Sequence, residues 1–327
     1  MDRRRFVTAA GTTGVLASTS LAGCLGGVLD QVGGGGGGAV SEGETATYND
    51  WIGTGTTLSD GRVSVSSLGG AALDGDVGGN GQENERVQDD PLATVMLEWA
   101  VQIGFISRGV ETEGLTDPTA DGAGTDRFHY VSGTRVLEGE YDTARIASAH
   151  ENADRVEEYG DYRLFVDGGT TVAVSDETVL FAMEMSNAVS DATTRVEAHI
   201  DAATGDGARY AAEHEGLDDL QSALPNRGYS GVEFDPDGGV LEGESNTDYR
   251  QIEDTELNPD VLGYAGSSTI EEDDLTASVA LRYPSADAVD DRSTIESELG
   301  QEADERAIEI DGALVIVEGE YTALSEN

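Results

Sequence analysis

Period-two alternation of apolar and polar residues, broken by turn residues, runs through the chain from Arg135 onward and commits it to antiparallel strands. Arg135 to Glu140 reads as one strand and Tyr162 to Val166 as another, with Asp167-Gly168-Gly169 as the turn into Thr171 to Val174. Thr178 to Met183 continues this meander. Leu275 to Tyr283 supplies a further strand, and Ala307 to Ile310, Asp311-Gly312 and Ala313 to Val317 form a terminal hairpin. Upstream, Arg62 to Ser66 alternates over a short strand.

Between these runs the period lengthens to that of a helix. Asp142 caps a helix with Ile146, Ala149, Ala153 and Val156 on one side. A second runs from Asp191 to Thr204 and stops at Gly205, where a left-handed residue closes the last turn. Leu217, Leu220 and Leu224 share a face before Pro225, and Ala286 to Leu299 is largely helical up to Gly300. Asp90-Pro91 opens another helix, with Leu92, Val95, Met96, Trp99, Ile103 and Ile106 on one face and Ala93, Leu97 and Val101 around the rest. A helix apolar nearly all round is buried, and this one is too short to cross a bilayer, which takes about 20 apolar residues. Residues 74–89 and 107–126 are polar, glycine-rich connections.

The expected fold is therefore α+β, with largely antiparallel sheet and helices packed on one face. Both the middle and the last third read strand, helix, strand, Asp-Gly turn, strand. A phrase recurs as well: Val136-Leu137-Glu138-Gly139-Glu140-Tyr141, Val240-Leu241-Glu242-Gly243-Glu244 and Ile316-Val317-Glu318-Gly319-Glu320-Tyr321. Its intervals are unequal, which excludes a solenoid and points to a degenerate duplication of a strand-helix-strand-strand unit. Residues 48–230 form the main region, and residues 231–327 a smaller one that either stands apart or packs into the same domain.

The N-terminus reads as an address. Asp2-Arg3-Arg4-Arg5-Phe6-Val7 resembles the twin-arginine export signal, with Arg3 and Arg4 as the pair, Phe6 as the apolar reader and Asp2 in place of the usual Ser or Thr. Val7 to Gly23 is weakly apolar and too short and polar for a membrane span. Leu21-Ala22-Gly23-Cys24 matches the lipobox of bacterial and archaeal lipoproteins at all four positions. Lipid attachment needs a thiol, and Cys24 is the chain's one cysteine. This reading makes residues 1–23 a removed signal peptide and residues 24–47 a lipidated N-terminus with a tether. The tether contains Gly33 to Gly38 and, as a random coil, spans roughly 25 to 30 Å. It implies passage through the twin-arginine translocase, which moves folded cargo, and a lipid anchor at the extracytoplasmic membrane face. No intramolecular disulfide can form.

Charge fixes the solvent. The 65 acidic residues face 18 basic ones, all arginine, for a net charge of −47. Such self-repulsion opposes compaction, but the Debye length falls to about 3 Å at 1 M salt. Lysine-free, carboxylate-rich surfaces resemble proteins of extremely halophilic archaea. With the export signal, lipobox and acidic Tyr-containing repeats, the chain resembles haloarchaeal twin-arginine-exported lipoproteins of an uncharacterised family. The acidity is a solvent adaptation before it is a binding device, and it excludes nucleic acid, since no basic stripe exists to meet phosphates.

Reactive chemistry is restricted in the same way. Without lysine there is no phosphate-loop lysine and no Schiff base; with Cys24 alkylated, thiol catalysis is excluded. His129, His150, His199 and His214 make no zinc-helix spacing; His199, beside Val196 and Ile200, reads as a helix residue rather than a ligand. Asp74, Asp76, Gly79 and Glu85 fall at positions 1, 3, 6 and 12 of a calcium loop, but Gly78 and Gly81 spoil the pattern. Asp235-Pro236-Asp237-Gly238 reads as a turn. No metal, cofactor or catalytic residue is assigned. The leading expectation is a membrane-tethered binding or interaction module. The alternatives are a carrier of a lipid or other apolar ligand lined by Leu92 to Ile106, and a hydrolase using carboxylates.

Overall fold

The computed structural model describes residues 47–58, 61–69, 85–95, 124–186, 188, 190–225, 228–242, 250–271 and 274–322. The export signal, the lipobox, Cys24, the glycine tether and the tested calcium loop before Glu85 lie outside them, as do residues 96–123 with Trp99.

The described strands are β1 (Val63–Gly69), β2 (Gly124–Val131), β3 (Thr134–Glu140), β4 (Arg155–Tyr159), β5 (Tyr162–Asp167) and β6 (Thr170–Val174). They continue with β7 (Thr178–Met183), β8 (Tyr229–Phe234), β9 (Gly263–Glu271), β10 (Asp274–Arg282), β11 (Glu305–Asp311) and β12 (Leu314–Tyr321). All join one 12-stranded sheet in the order β11-β12-β10-β9-β8-β1-β2-β3-β7-β6-β5-β4, and each neighbouring pair is antiparallel. The helices are α1 (Glu85–Asp89), α2 (Thr143–Ala149), α3 (Ala192–Thr204), α4 (Glu215–Ala223) and α5 (Arg292–Glu298). The mixed α+β class with antiparallel sheet follows directly. Residue 230 falls within β8, which pairs with β1 on one side and β9 on the other.

Helices on one face only is a reading the structure corrects. Ile146 of α2, Val87 of α1 and Ile295 of α5 pack with Leu137, Phe181 and Val279 on one side of the sheet. Val196 and Ile200 of α3, with Leu217 and Leu220 of α4, pack with Val136, Leu180 and Ala280 on the other. A strand covered on both sides carries apolar residues at consecutive positions. Val179-Leu180-Phe181-Ala182 of β7 is buried throughout and shows this in the sequence.

Helix boundaries shift too. The helix capped by Asp142 ends at Ala149, and Val156 belongs to edge strand β4. The stretch from Ala286 to Leu299 is a short 3-10 turn at Ala286–Ala288 followed by α5. By contrast α3 has the expected ends: Asp191 Oδ1 accepts from the Thr194 N–H at 3.0 Å, and Gly205 closes the helix at φ 82°. Edge strands β4 and β11 carry Arg155, Glu157 and Glu158 and Glu305, Arg306 and Glu309, charges that discourage further strand addition.

Two runs of the chain share a connection rule. Strands β1, β2 and β3 form a meander, α2 follows, and the chain returns through β4 to β7 so that β7 lies beside β3. Strands β8, β9 and β10 form a meander, α5 follows, and the return through β11 places β12 beside β10. The first return has two more strands than the second. The repeated phrase sits on β3, at a turn that includes Leu241, and on β12, which are not equivalent places in this scheme.

Candidate functional site

Four turns and helix ends meet at one end of the β7-to-β4 side of the sheet. There α2, the β4–β5 hairpin, the β6–β7 turn and the end of α3 border an open cavity of about 760 Å³. Asp142 sets one wall: its Oδ1 accepts from the N–H groups of Ala144 and Arg145, both at 3.1 Å, and so fixes the first turn of α2. Thr143 and Ala144 of that turn line the cavity. The opposite wall is the β6–β7 turn, where Ser175 Oγ accepts the Thr178 N–H at 3.0 Å and the backbone carbonyls of Asp176 and Glu177 accept N–H bonds from Tyr141 and Gly139, both at 2.9 Å. Those bonds tie the turn to the end of β3.

Phe165 and Val174, buried side chains of β5 and β6, contribute the apolar lining. The Arg163 guanidinium stands 5.2 Å from the Phe165 ring centre. His150, at the end of α2, meets the same ring at 5.5 Å. Glu158, Asp161, Asp176 and Glu177 supply carboxylates, and Arg163 is the one cation in the lining. The volume is that of a small-ligand site, and the lining is mainly polar and charged.

A second polar feature crosses the sheet. Glu318, Ser278, Ser267, Ser230, Ser67 and His129 stand directly opposite one another on adjacent strands of the side covered by α3 and α4, all buried. Ser278 donates to Glu318 Oε2 at 3.1 Å, and Ser67 Oγ meets His129 Nδ1 at 2.8 Å. His129 Nε2 faces Glu138 Oε2 at 3.4 Å, a long and off-axis contact, while the Trp51 indole N–H donates to Glu138 Oε1 at 2.8 Å. Burial raises the Glu138 carboxyl, but the facing His129 ring and the Trp51 N–H outweigh that and hold it below the usual carboxylate range. Hydroxyl, imidazole and carboxylate in series have the composition of an acyl-transfer site. Ser67, however, is 5% exposed in the middle of a strand paired on both sides. Its neighbouring backbone N–H groups belong to the ladder rather than to an oxyanion hole. The series therefore anchors the segment around Trp51 onto the sheet.

The other histidines are dispersed. His199 is fully buried and its Nδ1 lies 2.6 Å from the Trp51 carbonyl, so that nitrogen carries the proton. Desolvation takes its pKa down to about 4. His214 stacks between Tyr210 and Phe234 at 4.2 and 5.9 Å. Among the described residues, no group of three or more His, Cys, Asp or Glu is arranged to hold a metal, and no helix is long and apolar enough to cross a membrane. Asp235 forms the expected turn: its Oδ1 accepts the Asp237 N–H at 2.9 Å, and Gly238 follows at φ 85°. Leu92 and Val95 are buried in the core, and the cavity is lined by none of residues 92–95. The remainder of that apolar stretch lies outside the described residues.

Sequence reasoning did not single out the cavity residues. Asp161 and Asp176 sit in turns, which was legible, but 65 acidic residues offer no contrast. Arg163 is the one cation in the cavity lining and, like Arg135 over Phe181 at 4.9 Å, lies over an aromatic ring.

No family model matches the chain, and no curated protein matches it. Among solved structures, crystal form I of TP0453 aligns with a TM-score of 0.40 at 11% identity, covering 85% of this chain and 94% of that one. Crystal form III of TP0453 gives 0.39 at 11%, covering 86% and 95%. Likeness at that level carries no argument about activity.

Proposed function

We propose that the protein is an extracytoplasmic binding module, tethered to the membrane through lipid on Cys24, and that the cavity between α2 and the β6–β7 turn holds its ligand. The supporting observation is the cavity itself, about 760 Å³ with a buried aromatic, a guanidinium and several carboxylates around one volume. The reading is tested in molar potassium chloride by thermal shift of the mature chain against amino acids, peptides, sugars and organic cations. Ala144 is exposed at the cavity wall, so Ala144→Trp projects a bulky indole into the space without touching the core. Stabilisation by a compound, lost in Ala144→Trp, is the expected result. A panel without effect, or a shift that survives the tryptophan, rejects the cavity as the site. The anchor is tested separately by the mass of the native N-terminal peptide and by release of Cys24→Ser from the membrane fraction.

Four carboxylates around one cavity favour a second reading, acid–base hydrolysis. A bell-shaped pH–rate profile against glycosides or esters, abolished by Asp176→Asn, would carry it. Finally, we infer that residues 128–184 and 275–321 descend from a duplicated strand-helix-strand-strand unit, the first enlarged by two strands; the return of β7 beside β3 and of β12 beside β10 supports this.

A further inference from the structure

We propose that the cavity recognises a zwitterion with an apolar substituent, of the kind presented by an α-amino acid; this rests on the binding reading above. In a chain of net charge −47, an acidic rim distinguishes nothing, because nearly every exposed surface is acidic. What marks this cavity is one cation over an aromatic ring, set in a concave lining; the other such pair among the described residues, Arg135 over Phe181, lines no part of it.

Arg163 projects from β5 onto the Phe165 ring, and its one charged partner among the described residues is Glu158 at 4.0 Å, beyond hydrogen-bond range. The guanidinium lies over the ring and is half exposed, so its N–H groups can reach a carboxylate, for which its planar fork is suited. Around it, Asp161 and the β6–β7 turn with Asp176 and Glu177 border the same space. None of these three carboxylates has an ion-pair partner among the described residues, and they offer an ammonium group its counter-charge. Phe165 and Val174, each 3% exposed, form the apolar floor beneath the guanidinium, toward which an apolar substituent would turn. A simple cation would satisfy the rim and leave the guanidinium unused; a simple anion would satisfy Arg163 and meet repulsion from the rim. Only a molecule carrying both charges uses the whole lining. Molar salt weakens the long-range part of these interactions and acts less on pairs that binding takes out of solvent.

The experiment is calorimetric titration of the mature chain, in molar potassium chloride, with L-phenylalanine, 2-phenylethylamine and 3-phenylpropanoate. These share an aromatic substituent and differ in charge. The expected result is binding of L-phenylalanine about tenfold tighter than either analogue, a difference of about 1.4 kcal/mol. Arg163→Gln should cost L-phenylalanine that factor and leave 2-phenylethylamine unchanged; Arg163 is half exposed, so the variant should keep its fold, checked by circular dichroism. Equal binding of the amine and the amino acid, or an unaffected Arg163→Gln, overturns the zwitterion assignment while leaving the cavity as a binding site. Absence of binding by all three also overturns it. The wider panel with Ala144→Trp then decides the binding reading independently.

Discussion

Asp90 gives the most direct test of how the C-terminal part of the sheet is held. The residue is 1% exposed and accepts four hydrogen bonds. Its Oδ1 takes the N–H groups of Leu92 at 3.1 Å and Gly300 at 2.8 Å; its Oδ2 takes the Glu302 N–H at 3.0 Å and the Tyr321 hydroxyl at 2.9 Å. One carboxylate thus joins the helical residues 91–95, the end of α5 and the last residue of β12. Burial, with Asp90 beside it, keeps the Tyr321 phenol far above its usual range, so it remains a donor. Asp90→Ala strands the Leu92 and Gly300 N–H groups and the Tyr321 hydroxyl in the core. At about 1–3 kcal/mol for each buried donor left without a partner, the loss should be about 4 kcal/mol, allowing some relief from water at Glu302. The assay is urea unfolding in molar potassium chloride, with Tyr321→Phe completing a double-mutant cycle. Tyr321→Phe alone should cost about 1 kcal/mol. In the Asp90→Ala background it should cost nothing or stabilise, because the stranded hydroxyl is gone. Additive effects, or an Asp90→Ala loss below about 1 kcal/mol, would refute the account of Asp90 as a shared acceptor.

Arg195 of α3 is fully buried and donates to the Met183 carbonyl, to the Ser190 carbonyl at 3.1 Å and to Thr134 Oγ1 at 3.4 Å. Arg195→Met should cost about 3 kcal/mol in the same assay, and Arg195→Lys should recover less than half, since an ammonium lacks the fork that spans three acceptors. His199 makes stability pH-dependent: the folded ring stays neutral down to about 4, against 6.5 for the free group, so the unfolded chain binds the proton first. Stability should therefore fall as pH drops through that interval, by about 3 kcal/mol in all. His199→Leu should flatten that limb, and nitrogen NMR should show the Nδ1-protonated tautomer; a ring that titrates near 6.5 refutes the burial argument.

Local segments were legible where side chains and backbone agree over a few residues. Helix α3 runs between a capping Asp191 and a left-handed Gly205, and both signals are chemical properties of single residues. The β5-to-β7 meander follows from alternation and from turns such as Gly168-Gly169, whose φ values of 52° and 87° suit glycine. Strands β2, β8 and β9 escaped notice because the centre of the sheet is rich in small and polar residues. Tyr229-Ser230-Gly231-Val232 and Gly266-Ser267-Ser268 show no clean alternation, since both their faces are buried and their hydroxyls serve a cross-strand row. The cavity was illegible for a related reason. Thr143, Arg163, Asp176 and Thr204 are far apart in the chain, and no periodicity links them.

The sequence by itself determined the acidic, lysine-free solvent-facing character, the turn positions, the capped helix α3 and the antiparallel habit, because each depends on residue chemistry within about one helical turn or one hairpin. Tertiary structure alone decided which strands neighbour which, that helices cover both faces, and that Ser67, His129 and Glu138 meet. Those outcomes depend on non-local burial. Gly53 shows how fine that control is: a Cβ there would stand 2.8 Å from the Ala198 carbonyl oxygen of α3, a clash invisible until the two segments are packed together.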